Sequence, residues 1–172
     1  MRLSRDAGVA VSKAAPTLAA LTFLTLGMAP QDARAADAPA YPQGAAAFQS
    51  NCTVCHGPGG AGVAALAPPL LSYPARYAAS AEGRRQLAMT LLYGMFGDIS
   101  VGGTHFNSQM PAFAQLDDAT LAALANFVVF DLDHAAADVK PLAASEVAAE
   151  RAQPVDAAAV REHRKRVAPP AP

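Results

Sequence analysis

Asn51-Cys52-Thr53-Val54-Cys55-His56-Gly57 is the stretch that decides how the chain is read. Cys52 and Cys55 are its two cysteines, and a histidine follows the second directly. A thioredoxin-like dithiol uses the same spacing, but it belongs in a βαβ context, and no strand-like run flanks the site. A zinc site needs four ligands, usually from a second Cys/His pair, and the sequence offers none. Covalent attachment of haem needs these three residues and no more. On a helical turn, side chains three residues apart share a face, so both thiols can add to the haem vinyl groups. His56 is then directed at the iron as the proximal ligand. Haem c is the expected cofactor, with a disulfide or a zinc site as the alternatives.

One such motif implies one haem, whose iron needs a second axial ligand or keeps an open position for chemistry. Met89, Met95, Met110, His105 and His134 are the candidates. Met89 lies in the apolar helical stretch Leu87-Ala88-Met89-Thr90-Leu91-Leu92, where a methionine is expected to pack in a core. Met95 sits in a glycine-bracketed turn, Tyr93-Gly94-Met95-Phe96-Gly97. Met110 stands in Asn107-Ser108-Gln109-Met110-Pro111-Ala112-Phe113, and the proline behind it stiffens the chain and forbids helix. A soft thioether on a stiff loop suits an iron ligand, so Met110 is the expected one. His105 and His134 read as surface or hydrogen-bonding histidines.

Upstream of the motif, Arg2, Arg5 and Lys13 precede an uncharged apolar run from Ala14 to Ala29, and Ala33-Arg34-Ala35 has the form of a cleavage site. This is the pattern of a secretory signal. The run is short for a membrane span and contains Pro16, although a retained anchor is the alternative. The expected organisation is a signal peptide over 1–35, a haem domain over 36–138 and a C-terminal extension over 139–172. The expected location is the periplasm, with no stable membrane span after cleavage.

Composition sharpens this. The chain has 172 residues and is 52% hydrophobic, but 43 residues are alanine, there is no tryptophan and only 11 are aromatic. Bulky apolar side chains are therefore few for a core of this length, and a large apolar cofactor would complete it. A formal net charge of −1 gives no argument for nucleic-acid binding. The charge is unevenly placed: residues 37–138 hold three arginines, no lysine and eight acids, while 139–172 hold six basic and four acidic residues.

Periodicity predicts helices over Tyr41 to Asn51 and Glu82 to Tyr93, and from a cap at Asp117 through Phe130, with Leu121, Leu124 and Val128 on one stripe. Gly57 to Gly62 reads as a turn. The glycines at 94, 97, 102 and 103 read as loop, and no strand is predicted. In the extension, Pro141 to Arg151 is echoed by Pro154 to Arg164 at an offset of thirteen. Each unit reads as a helix of about eight residues, too short to stand alone in water. Each must dock on the haem domain, dock on a partner or fray, and Ala168 to Pro172 reads as a disordered end.

The chain resembles a class I c-type cytochrome over about residues 40 to 134. Cys52, Cys55 and His56 match that family's attachment site, and Gly44 and Phe48 match its Gly-x-x-x-aromatic first helix. Met110-Pro111 matches the distal ligand, and Phe127 the aromatic of the last helix. Ala67-Pro68-Pro69-Leu70 resembles the proline loop, in which Pro68 would accept a hydrogen bond from the proximal histidine. The pattern departs at Phe106, where many relatives carry a tyrosine near a haem propionate. The resemblance implies an all-α cytochrome c fold of three to four helices around one covalent haem, followed here by the short-helix extension. It implies a one-electron carrier and not an enzyme, working as a soluble shuttle or as the electron-accepting subunit of a dehydrogenase. Its partners would be redox proteins, a dehydrogenase as donor and a terminal oxidase or another cytochrome as acceptor. A five-coordinate haem with peroxidase or gas-binding activity is the alternative.

Overall fold

Helix α1 runs from Pro42 to Asn51 in the computed structural model, which describes residues 38–169. The expected signal over 1–35 and residues 170–172 of the expected disordered end lie outside the described residues. Contacts divide the chain into Met1–Ala35 and Ala36–Pro172, and the account below concerns the second unit. Proline at the start of α1 is already set at a helical φ and lacks only an N–H that would be unpaired there. The helix packs on α5, Asp118–Asn126, at Gly44. A Cβ at Gly44 would run into the carbonyl oxygen of Ala123 and come within 2.7 Å of Cβ of Phe127. Phe48, four residues on, stacks at a tilt on Phe127 with ring centroids 5.5 Å apart. Gly44, Phe48 and Phe127 thus form one helix crossing, as the resemblance implied.

The attachment motif follows as a single turn, α2, Thr53–His56. Two short helical segments, Pro58–Gly60 and α3, Pro74–Ala78, precede α4, Ala81–Tyr93. Ser80 caps α4 by accepting from the Gly83 N–H at 3.0 Å, and Asp117 caps α5 by accepting from the Thr120 N–H at 2.7 Å. Hydrogen bonds from Thr120 hold the Asp117 carboxyl below the usual carboxylate range. Beyond Asn126 the chain continues as a wider π-turn, Phe127–Leu132, so the last helix of the haem domain extends close to its predicted end.

The fold is mainly helical, as the all-α expectation had it, but a small sheet interrupts the helices between α4 and α5. Residues read as glycine-broken loop form an antiparallel hairpin, β1 Met95–Val101 and β2 Thr104–Met110. Gly102 and Gly103 occupy its two-residue turn at φ 58° and 78°, which only a residue without a Cβ adopts readily, so Gly-Gly serves as the hairpin turn. Met95, Ile99, Val101, Phe106 and Met110 fall on one face. Phe96, on the other face, is 57% exposed. Met110 is therefore the last residue of a strand and not part of a free loop, and Pro111, lacking an N–H, ends the pairing. Ser108 ties β2 to the proline loop by donating to the carbonyl of Leu66 at 2.6 Å.

The extension forms α6, Ala144–Arg151, and α7, Ala157–Val167, both docked on the haem domain. The repeat explains how they dock: Val147 and Val160 hold equivalent positions in it, and both are fully buried. Leu142 and Val147 join the core cluster of Ala88, Leu92 and Leu121. Asn126, buried in α5, clasps the incoming chain: its side chain donates to the carbonyl of Leu142 at 3.0 Å and accepts from the Leu142 N–H at 2.8 Å. Arg84 pairs with Glu146 at 3.0 Å, Arg85 with Glu150 at 2.9 Å and Arg151 with Asp118 at 2.7 Å.

Replacing Asn126 by alanine would strand two buried backbone groups at Leu142, each worth about 1–3 kcal/mol. We expect a loss of about 2–4 kcal/mol in denaturant unfolding and faster proteolytic cleavage near residue 142. A change within about 0.5 kcal/mol would show that the clasp does not hold the extension.

Candidate haem site

His56 is only 8% exposed. Its Nδ1 lies 2.9 Å from the carbonyl oxygen of Pro68, which has no hydrogen to give, so Nδ1–H donates. In the neutral ring Nε2 then carries the lone pair. Burial pushes the His56 pKa down, partly opposed by the Pro68 bond, so the ring is kept neutral and able to bind a metal. Folding of the intervening chain makes the bond possible. The Gly62 N–H donates to the carbonyl of His56 at 2.7 Å, and the Leu70 N–H donates to that of Gly60 at 2.8 Å. A Cβ on Gly62 would lie 2.6 Å from the nitrogen of Pro69. Glycine is required there to let the proline loop close over the histidine.

Cys52 is buried and Cys55 half-buried. Burial, with Cys55 adding to it, pushes the Cys52 thiol up to about 11, so it stays protonated at neutral pH. Both cysteines and His56 line a large open cavity. Pro68, Leu87 and Leu91 of α4, Leu124 and Val128 line it with them. The hairpin contributes Met95, Ile99, Phe106 and Met110 to the same lining. An apolar cleft with a neutral imidazole and two thiols at one edge suits a flat apolar macrocycle carrying a metal, and both thiols and the imidazole are placed to hold it.

The ligand candidates now separate. Met89 is 3% exposed, belongs to the core and is not on the cavity wall. His105 is exposed beside Asp98, at 3.3 Å, and His134 is exposed; neither lines the cavity. Met110 lines it, and so does Met95, its partner in the hairpin register. Among the described residues no group of three or more His, Cys, Asp or Glu could hold a metal ion, which leaves the zinc alternative without ligands there. The sequence reading missed the wall residues Tyr73, Tyr77, Gln86 and Arg164. No local motif marks them, and Arg164 comes from the far end of the chain.

The Cytochrome c family profile matches residues 42–129. The chain is also similar to a cytochrome c-552 of Thermus thermophilus, 35% identical over 124 residues, which cover 71% of this chain and 95% of the relative. A second cytochrome c-552, from a particular strain of the same species, is likewise 35% identical over 124 residues, 71% of this chain and 84% of its own. The chain belongs to the cytochrome c family. It is a class I c-type cytochrome with covalently bound haem c, and its chemistry is electron transfer. A second relation to the family, the match of its proximal proline to Pro68, has a direct geometric counterpart in the 2.9 Å bond to His56.

Denatured cytochrome should keep its haem stain on a gel, because thioether bonds survive unfolding. The double variant Cys52→Ala with Cys55→Ala should lose the stain entirely, while either single variant keeps it with reduced yield. Stain retained in the double variant would rule out these thiols as the attachment points.

Proposed function

We propose that this cytochrome is a soluble periplasmic one-electron carrier in which Cys52 and Cys55 attach the haem and His56 and Met110 are its axial ligands. One observation carries the reading: His56, its Nδ1 tied to the Pro68 carbonyl at 2.9 Å, shares an apolar cavity with Met110. Haem c supplies the Fe(III)/Fe(II) couple. Pro68 fixes the ring plane and tautomer of His56 and raises its basicity, as an acceptor behind a ligating imidazole does. Met110 is preferred over Met95 because it ends its strand against Pro111, and the Cβ-free Gly94 lets the end of α4 close on its carbonyl. A thioether and an imidazole together would favour the reduced state. With His56 and Met110 both holding the iron, no position would be left for peroxidase chemistry or gas binding.

The docked extension bears on the choice between shuttle and subunit. Its buried faces are used within the chain, so it gives no separate argument for a permanent partner, and the shuttle form is preferred. Val54, 80% exposed, and the exposed Leu66 line the cavity mouth, an apolar rim that a transient partner can cover. The surrounding domain is acidic, with three basic and eight acidic residues over 37–138, so a donor or acceptor would present a basic patch. A dehydrogenase as donor and a terminal oxidase or another cytochrome as acceptor fit that role. The periplasmic location rests on the sequence of residues 1–35. Among the described residues, no helix is long and apolar enough to cross a membrane.

Two measurements check this. The Met110→Ala variant should turn low-spin haem high-spin by EPR and lower the midpoint potential by on the order of 0.1 V, while Met95→Ala leaves the spin state unchanged. The reverse pattern would reassign the ligand to Met95. The exported protein should have the mass of a chain beginning at Ala36 or Asp37 plus one haem, and an uncleaved mass would favour the anchor.

A further inference from the structure

The cavity is walled mainly by apolar groups, yet the cofactor it holds is not wholly apolar: haem carries two carboxylates. A buried carboxylate needs a cation or strong hydrogen-bond donors. Among the described residues lining the cavity, the one permanently charged side chain is Arg164, on α7 of the extension.

Three observations mark its surroundings as an anion site. Arg164 is the repeat counterpart of Arg151, which pairs with the carboxylate of Asp118 at 2.7 Å. Arg164 donates instead to the backbone carbonyl of Ser100 at 3.1 Å, and it has no carboxylate partner among the described residues. Beside it the hydroxyl of Tyr77, a residue 7% exposed, faces the Arg164 guanidinium. A guanidinium donates and cannot accept, so the phenolic hydrogen finds no acceptor among the described residues. Tyr73, also on the cavity wall, accepts from the Gly102 N–H at 2.8 Å through its hydroxyl, and its own hydrogen is left for an acceptor. A cation and two hydroxyl hydrogens thus converge where the described residues offer no anion.

We infer that Arg164, Tyr77 and Tyr73 bind a propionate carboxylate of the haem, so that the C-terminal extension forms part of the cofactor site. This rests on the reading that the cavity holds the haem. Position is fixed from behind: His163, next to Arg164 and buried, meets Oε1 of Gln86 at 2.7 Å through Nδ1, and Val160 is fully buried one turn earlier. Of the haem domain's own arginines, Arg84 and Arg85 pair with the extension's Glu146 and Glu150, and Arg76 lies over the Tyr73 ring at 5.9 Å; none of the three is on the cavity wall. Phe106, also on the wall, has no hydroxyl to offer a carboxylate, and the arginine from the extension serves in place of one.

The test is a redox titration of the full-length holoprotein from pH 5 to 9, in the wild type and in Arg164→Ala, Arg164→Lys and Tyr77→Phe. A nearby cation holds the carboxylate pKa down and disfavours the ferric state. Arg164→Ala should therefore shift the Fe(III)/Fe(II) ratio at fixed ambient potential roughly three- to tenfold toward Fe(III). It should also move the pH-dependent fall in potential to higher pH. Arg164→Lys should recover most of both effects, and Tyr77→Phe should give a smaller shift of the same sign. A folded Arg164→Ala holoprotein with an unchanged pH profile would overturn the inference. If that variant does not accumulate, an unchanged profile in Tyr77→Phe overturns it. Failure of the axial reading would appear separately, as a high-spin wild type, and would leave the pH profile measurable.

Discussion

A single hydrogen bond, from Nδ1–H of His56 to the carbonyl of Pro68, sets the conditions that the rest of the site must satisfy. It joins residues twelve apart and can form only if the chain between them doubles back. The glycines at 57, 60 and 62 take positive φ values of 72°, 72° and 82° to make that turn. The same bond settles the tautomer of the imidazole and leaves Nε2 as the nitrogen with a lone pair. The hairpin lines the same cavity as the fixed ring, and it is itself held to the proline loop through Ser108 and Leu66.

The parts of this arrangement that depend on near neighbours were legible in the sequence. Cys52, Cys55 and His56 are close in sequence, and the structure keeps them together on one short helical turn with Cys52 as its cap. Asp117 caps α5 because a carboxylate three residues before an unpaired N–H satisfies it. The hairpin was missed although its signal was present. Gly102-Gly103 is a favoured two-residue turn, and Ile99-Ser100-Val101 before it alternates. The glycines at 94 and 97 drew the reading toward loop. Gly97 has its own explanation: its φ of 97° strains any residue with a Cβ. The Arg161 guanidinium of the extension also lies against it, a contact that nothing local could reveal.

Alanine-richness also acquires a structural sense. Ala88, Ala122 and Ala125 are buried, and short side chains let helices approach where larger ones would hold them apart. Leu92, Leu121, Leu124 and Val129 then fill the centre, and the haem supplies bulk that few aromatics provide. Leu142, Val147 and Val160 come from the extension. The core therefore draws on more of the chain than the haem domain alone. The repeat was visible beforehand, but which of its residues faced inward depended on the surface it met.

The extension's position on the cavity wall makes the site draw on both ends of the described chain. Cys52, Cys55 and His56 come from its first turns, and Arg164 comes from its last helix. Among the described residues, a chain ending before Ala157 would keep every other residue that lines the cavity and lose its one charged side chain. The C-terminal helix is then less an appendage than the cavity's source of charge.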